Sequence, residues 1–427
     1  MERQYKDSGS EWIGRIPEEW KIAKLKYIYK FQTGATPPTN NERFFNGDFK
    51  WASIADLKSK IIYETTKTLS EAGIKKCNMT ITPKGSLMYS FKLSVGIVSF
   101  CGEDMYTNEA IASFLEDYGY LPYLYYMAPF AIIQNANFNI YGAPILNQEL
   151  IKAATVIVPP LPEQQRIASY LDKKCGEIDA LIALQEKMIA QLTEYKQAVI
   201  TEAVTKGLDP NAKLVPSGIE WIGDVPEGWK VCRIKDIFNL RTGTTPKDFE
   251  QGLESETLVN WFTPSDVSEM NCELIASERH LSESIVKKEG IELNPIGSLV
   301  FVAIGASAGK IGYAKVEGYS NQQITSLIPR NGKCFSKYSY YFMITDRKRI
   351  RDNAFFTTLP IINNSYLSGV KILLPPLPDQ QRIASYLDTK CSEIDSLIAL
   401  KRQKIESLNA YKKSIIYEAV TGKTIIE

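Results

Sequence analysis

One stretch occurs twice, and it limits the folds open to this chain more than any other feature. Residues 159–207 and 375–423 align at a constant offset of 216 (375 − 159) without a gap. Roughly two-thirds of the paired positions are identical, well above chance repetition. Both copies open Pro-Pro-Leu-Pro and continue, after Glu163 or Asp379, as Gln-Gln-Arg-Ile-Ala-Ser-Tyr-Leu-Asp. Pro162 and Pro378 suit a first helical turn, where a missing amide has no intrahelical partner to lose. The acid that follows lies at the positive end of the helix dipole. Gly207 and Gly422 suit the far ends. A helix of about 45 residues extends roughly 65 Å at 1.5 Å per residue.

The apolar spacing within each copy alternates steps of four and three. In the first copy it runs through Leu171, Cys175, Ile178, Ile182, Gln185, Ile189, Leu192, Lys196, Val199 and Ala203. In the second it runs through Leu387, Cys391, Ile394, Ile398, Lys401, Ile405, Leu408, Lys412, Ile415 and Ala419. Two long core helices of one large domain are an alternative, but a heptad sustained over this length favours a coiled-coil seam. Both copies place a polar residue at the same two seam positions, Gln185 with Lys401 and Lys196 with Lys412.

The repetition extends beyond the helices. Ser8–Pro38 parallels Ser217–Lys247 at an offset of 209 (217 − 8), matching Trp12 with Trp221, Trp20 with Trp229 and Thr33-Gly34 with Thr242-Gly243. Tryptophans beside glycine and proline predict anchored turns, with the rings as packing residues. Between that box and the helix the copies diverge but keep a skeleton: Trp51 and Asp56 with Trp261 and Asp266, Ser94-x-Gly96 with Ser307-x-Gly309, Asn108 with Asn321. Short β-rich runs at 86–90, 96–100, 298–304, 311–316 and 324–328 predict a small curved sheet in each copy. Residues 154–158 and 370–374 read as last strands leading into the helices.

The predicted fold is therefore α+β: two similar mixed lobes separated by two long helices in an antiparallel coiled coil, with pseudo-twofold symmetry. The expected divisions are a first lobe at 1–158, a first helix at 159–207, a second lobe at 208–374 and a second helix at 375–427. Because the box after the first helix resembles the N-terminal box, the second helix is expected to end beside Trp12 and Trp20.

Bulk properties narrow the class. With 427 residues there is room for two or three domains. No run approaches a transmembrane span, and the N-terminal residues do not read as a signal peptide. Seven irregularly spaced cysteines without a C-x-x-C fit free thiols in a reducing cytoplasm. A single histidine, His280, gives no basis for a Cys/His metal site. A net charge of +1 departs from the basic excess of a lone nucleic-acid binder, so any basic surface must be clustered or supplemented by partners.

Catalytic signatures are missing from the sequence. Gly305-Ala-Ser-Ala-Gly309-Lys310-Ile311 is one residue short of a phosphate-binding P-loop, and Ile311 stands where a magnesium-binding hydroxyl belongs. A glycine-rich turn with one lysine is better suited to close approach to a phosphate backbone. Residues 345–353, with Arg347, Lys348, Arg349 and Arg351, are the densest basic run; a solvated helical face and phosphate contact are both open readings. Tyr123, Tyr125 and Tyr126 read as packing residues. An adaptor with two protein- or carbohydrate-binding lobes is a competing class, favoured slightly by the near-neutral charge.

The paired PPLPEQQRIASYLD and PPLPDQQRIASYLD boxes, the long helices, the Glu-Trp-Ile-Gly boxes and the Thr-Gly-x-Thr-Pro turns resemble the specificity (S) subunits of type I restriction–modification systems. The resemblance spans essentially the whole chain. It implies that each lobe is a target recognition domain for half of a bipartite duplex DNA sequence. The helices would set the spacing and dock two modification subunits, with restriction (motor-nuclease) subunits joining them. It also implies a non-catalytic chain that binds no cofactor itself, S-adenosylmethionine, ATP and Mg²⁺ belonging to the partners. The candidate DNA contacts are Thr33, Thr36 and Lys92 in the first lobe, Thr242, Thr245 and Lys310 in the second, and the basic run at Arg347, Lys348, Arg349 and Arg351.

Overall fold

The computed structural model describes residues 3–115, 119–247, 257–269, 272–353, 355–356 and 359–426. The chain divides into two compact units, residues 1–185 with 403–427, and residues 186–402. Each unit joins one lobe to the beginning of one long helix and the end of the other.

In the first unit a five-stranded sheet runs in the order Phe31–Thr33, Ile111–Phe114, Leu87–Ser90, Val98–Cys101, Ile61–Ile62. The three central strands are rich in β-branched and aromatic residues, and Leu87, Tyr89, Ala112 and Phe114 are fully buried. A three-stranded sheet of Phe45–Ala52, Lys67–Leu69 and Tyr106–Thr107 flanks it. The helix Leu121–Ala131 buries Tyr123, Leu124, Met127 and Ala128 in the same core. Thr155–Val158 pairs antiparallel with Lys21–Lys24, so the chain leaves the lobe beside the N-terminal box and enters the first long helix, Leu161–Lys206.

The second unit repeats this plan. Its five-stranded sheet runs Phe238–Thr242, Ile324–Pro329, Leu299–Val302, Ile311–Ala314, Cys272–Leu274, the same order by position. Leu258–Phe262, Arg279–Ser282 and Tyr319–Ser320 form the smaller sheet. Lys371–Leu374 pairs antiparallel with Lys230–Arg233 and delivers the chain to the second long helix, Leu377–Val420.

The helices pair antiparallel within each unit. In the first, Trp20 Nε1 donates to Glu163 at 2.7 Å in the opening turn of the first helix. A Cβ placed on Gly422, just past the second helix, would lie 3.0 Å from the same tryptophan ring. The start of one helix and the end of the other thus share Trp20, and Tyr417 donates to the Trp12 carbonyl at 2.7 Å. In the second unit Gln380, early in the second helix, accepts from the Phe335 amide at 2.8 Å. Three residues on, the Tyr338 hydroxyl donates to the Val204 carbonyl at the end of the first helix.

Leu171, Cys175, Ile178, Leu387, Cys391, Ile394, Leu408 and Ile415 are buried as the heptad requires. Ile182, Gln185, Ile189, Leu192, Ile398, Lys401 and Ile405 are half-buried, so burial thins toward the middle of each helix. Both helices stop at a left-handed glycine, Gly207 (φ 76°) and Gly422 (φ 70°).

Candidate nucleic-acid interface

The topology gathers most of the sequence candidates at one end of each five-stranded sheet. In the first lobe, Phe31–Thr33 and Leu87–Ser90 both run antiparallel to Ile111–Phe114, and therefore finish at the same end. The turn at 33–36, the Ser90–Gly96 loop carrying Lys92, and Asn108–Glu109 all emerge there. In the second lobe the turn at 242–245, the loop at 303–310 and residues 321–323 occupy the corresponding end.

The two Thr-Gly-x-Thr turns are built alike. Trp51 Nε1 donates to the Ala35 carbonyl at 3.1 Å, and Trp261 Nε1 to the Thr244 carbonyl at 3.3 Å. A Cβ on Gly34 would lie 1.7 Å from the Thr107 carbonyl oxygen, and one on Gly243 2.2 Å from that of Ser320, so both positions demand glycine. Gln148 donates to Thr33 Oγ1 at 2.9 Å, as Asn364 does to Thr242 Oγ1 at 2.8 Å. The Thr36 hydroxyl donates to the Glu109 carboxylate and the Thr245 hydroxyl to Gln322. Asp56 and Asp266 brace the neighbouring 3₁₀ turns through the Ser53 and Thr263 amides. Burial alone would raise the Asp56 carboxyl; donors from Thr66 and Ser53 outweigh it and hold the group below the usual carboxylate range.

The lysines differ. Lys92 is exposed beside the Phe91 ring, 5.8 Å from its centroid. Lys310 is mostly covered and pairs with Glu269 at 3.2 Å. Its loop connects strand to strand, whereas a P-loop leads into a helix, so the sequence context of a nucleotide site is missing here too.

The basic run forms the end of the helix Ser336–Asp352 and splits between two sides. Arg347 pairs with Glu269 at 3.3 Å, and Arg351 lies against Gly309, so these two join Lys310 at the sheet end. Arg349 instead grips Asp346 through Nε and Nη2 at 2.6 and 2.5 Å and stacks on Trp221 at 5.1 Å. Burial raises the Asp346 carboxyl even against the Arg349 charge. Lys348 points to solvent.

Sequence reading missed the joint between lobe and helices. Tyr123 Oη donates to the Val420 carbonyl at 3.0 Å and Tyr338 Oη to the Val204 carbonyl at 3.0 Å, each satisfying an end-of-helix acceptor. Tyr126 donates to Asp172 at 2.5 Å and Tyr341 to Asp388 at 2.6 Å, in the opening turns of the helices. Burial and those carboxylates push both phenols far up. A lysine covers each pair: Lys60 bonds Asp172 and lies over the Tyr125 ring at 5.3 Å, while Lys337 lies 3.4 Å from Asp388 and over the Tyr340 ring at 5.6 Å. The signal was a Tyr-x-Tyr-Tyr motif at 123–126 and 338–341, offset by 215 (338 − 123) rather than 216. The lysines come from unrelated positions and left no such trace. Leu93 was also missed: it holds a positive φ of 60° and is exposed at the tip beside Lys92.

Among the described residues no helix is long and apolar enough to cross a membrane. A family model for the type I restriction modification DNA specificity domain matches residues 17–194 and again 226–410. The MjaIX specificity subunit of Methanocaldococcus jannaschii is 23% identical over 97% of this chain and 96% of its own length. The EcoKI specificity subunit of Escherichia coli is 21% identical over 96% of this chain and 90% of its own. A chain from a structure concerned with assembly and conformational transition of the type I R-M system superposes with a TM-score of 0.72 at 16% identity, covering 96% of this chain and 99% of that one. These matches give the adaptor reading no support. Matched in both repeats and over most of its length, the chain belongs to the type I restriction–modification DNA specificity family, in which it supplies sequence recognition and partner subunits supply the catalysis.

Proposed function

We propose that this chain directs a type I restriction–modification complex to a bipartite duplex DNA target, each lobe reading one half. The observation that carries the reading is the pair of sheet ends. Two turns of matching geometry, at Thr33–Thr36 and Thr242–Thr245, are surrounded by loops that differ in sequence and charge. Like frames position two readers on similar DNA backbones, and unlike loops give them different base preferences. In this reading Lys92, Lys348 and the cluster of Lys310, Arg347 and Arg351 face phosphates, while Arg349 acts by stiffening its lobe.

The lobes at 1–158 and 208–374 are the readers, and the helices fix the gap between half-sites. The helices also present apolar residues at equivalent positions, Leu181 and Leu184 on one, Leu397 and Leu400 on the other, all exposed. Such doubled patches suit two copies of one partner, the modification subunits. S-adenosylmethionine would sit on those subunits, and ATP and Mg²⁺ on the restriction subunits that complete the assembly in the cytoplasm. The test is methylome sequencing of cells with and without the gene. One interrupted adenine-methylated motif should vanish with the gene; an unchanged methylome in cells that express the modification subunits would overturn the reading.

A further inference from the structure

The repeat at offset 216 begins before the helices. Asn137, Pro144, Ile145 and Asn147 match Asn353, Pro360, Ile361 and Asn363 (360 − 144 = 216). In the first lobe they frame a hairpin whose strands are Asn137–Phe138 and Pro144–Ile145. Asn147 caps the next helix, Gln148–Ala153, as Asn363 caps Asn364–Gly369. Between the shared flanks, residues 138–143 and 354–359 agree in sequence at no position. Shared flanks thus enclose unlike sequences, and the pairing differs as well: in the second lobe Phe355–Phe356 pairs with Pro360–Ile361.

The first tip is apolar, exposed and preorganised. Ile140 and Tyr141 are 91% and 88% exposed and Phe138 is 68% exposed. Asn139 Oδ1 accepts from the amides of Tyr141 and Ala143, each at 2.9 Å, and Gly142 supplies the positive φ of 75° that the turn needs. The shape is therefore fixed before any partner arrives, which lowers the ordering cost of binding. From Gly119 through Gln148 the chain has no charged residue, although 23% of the whole chain is charged. No carboxylate stands on the hairpin to repel phosphates.

Its position points to the occupant. Gln148, three residues past the hairpin, bonds Thr33, so the hairpin's base stands beside the turn assigned above to DNA. In the second lobe the Gly305 amide bonds the Pro360 carbonyl, which fixes the corresponding hairpin beside the Lys310 loop. A surface for two identical subunits should be alike in both repeats, as the helix faces are. A surface for two different half-sites should differ, as these segments do in sequence.

We infer that the tip of the 137–145 hairpin enters the duplex at the first half-site, with Ile140 and Tyr141 wedged against an unstacked base step. Apolar wedges of this kind act by opening a step and bending the duplex toward more protein surface. The inference rests on the DNA-reading function proposed above.

The test compares the wild-type chain with an Ile140→Ser/Tyr141→Ser variant, each assembled with its modification subunits and used to select from random duplex DNA. Both side chains are exposed, so the fold is not at risk. The variant should bind the selected sequence roughly five- to a hundred-fold more weakly, the range for loss of a base-stacking side chain. It should relax positions in the first half-site only and keep the wild-type salt slope, because no phosphate contact is lost. 2-Aminopurine at the relaxed step should brighten on binding wild type and stay dark with the variant. Wild-type affinity, selectivity and fluorescence in the variant would overturn the wedge and leave the function standing. Failure to assemble, with the DNA preference intact, would overturn it by making the tip a protein contact. A wild-type complex that selects no bipartite sequence would instead overturn the function, and the wedge with it.

Discussion

Lys196 and Asp395 form a two-pronged ion pair, Nζ lying 2.7 Å from both carboxylate oxygens, at a seam position where a heptad calls for an apolar residue. Lys412 and Asp179 repeat it at 2.7 Å, the residues exactly exchanged between helices by the 216-residue offset (395 − 179 and 412 − 196). Polar seam positions that weaken an ideal coiled coil here specify register and antiparallel direction, because only one alignment satisfies both lysines.

The two pairs should not be equal in stability. Lys196 is 4% exposed along its side chain, whereas Lys412 is 28% exposed. Asp395→Ala removes the carboxylate from a buried ammonium and should cost about 2–3 kcal/mol, less than a fully buried pair because Asp395 itself is partly solvated. Asp179→Ala should cost about 1 kcal/mol or less. Urea unfolding of the two variants checks the order; equal losses would show that burial does not set the cost.

The two helix-ending glycines make a second contrast. Both have positive φ, but a Cβ on Gly422 would lie 2.5 Å from a Pro17 ring carbon, while one on Gly207 would come no nearer than 3.2 Å, to the Trp229 ring, with Pro226 at 3.8 Å. Gly207→Ala should cost about 1 kcal/mol from backbone strain. Gly422→Ala should cost about 1–3 kcal/mol more, from overpacking against the N-terminal box. Thermal melts of both variants give the comparison.

The basic residues should separate by salt dependence. Lys92→Ala and Lys348→Ala should weaken DNA binding across sequences and lower the salt slope by about one unit each. Arg349→Ala should leave that slope unchanged and destabilise the lobe, since it strands the buried Asp346 and uncovers Trp221. Binding titrations over a salt series, with melts alongside, separate these effects.

Cysteine chemistry should follow the seam. Burial pushes the Cys175 and Cys391 thiols up to about 11. Their thiolate fraction is therefore small at pH 8 and rises as pH approaches 11, so labelling by a thiol reagent should be slow in the native chain and accelerate only in that direction. Fast labelling of either at pH 8, read by mass spectrometry of peptides, would mean that the helix pair opens readily.

The long helices and the doubled plan were legible because they rest on period. Leu171, Ile178, Leu387 and Ile394 repeat at heptad spacing, and burial follows it. The curved sheets were legible as β-rich runs such as Leu299–Val302, though their order was not, because strand neighbours are chosen by long-range pairing. The turn at Thr33–Thr36 was legible through glycine, whose lack of a side chain is itself information. What sequence could not rank was the basic run: Arg347, Lys348, Arg349 and Arg351 look equivalent in a row, but a helix sends them in different directions, one to Trp221 and two to the Gly309 loop. The lobe–helix joint was hidden for another reason. Lys60 and Lys337 do the same work from unrelated places, and such convergence in space leaves no repeat to find.

The tyrosines at that joint set a rule for exchanging lobes. The group that closes the last turn of each long helix belongs to a lobe, so a recognition lobe is not a free cassette. Tyr123 stands 36 residues before its Pro-Pro box (159 − 123) and Tyr338 stands 37 before its own (375 − 338). A foreign lobe grafted into this frame must bring a Tyr-x-Tyr-Tyr helix at nearly that distance, or leave a helix end bare and an Asp172 or Asp388 without its phenol. Whatever loops such a lobe presents, the socket behind them admits only one kind of plug.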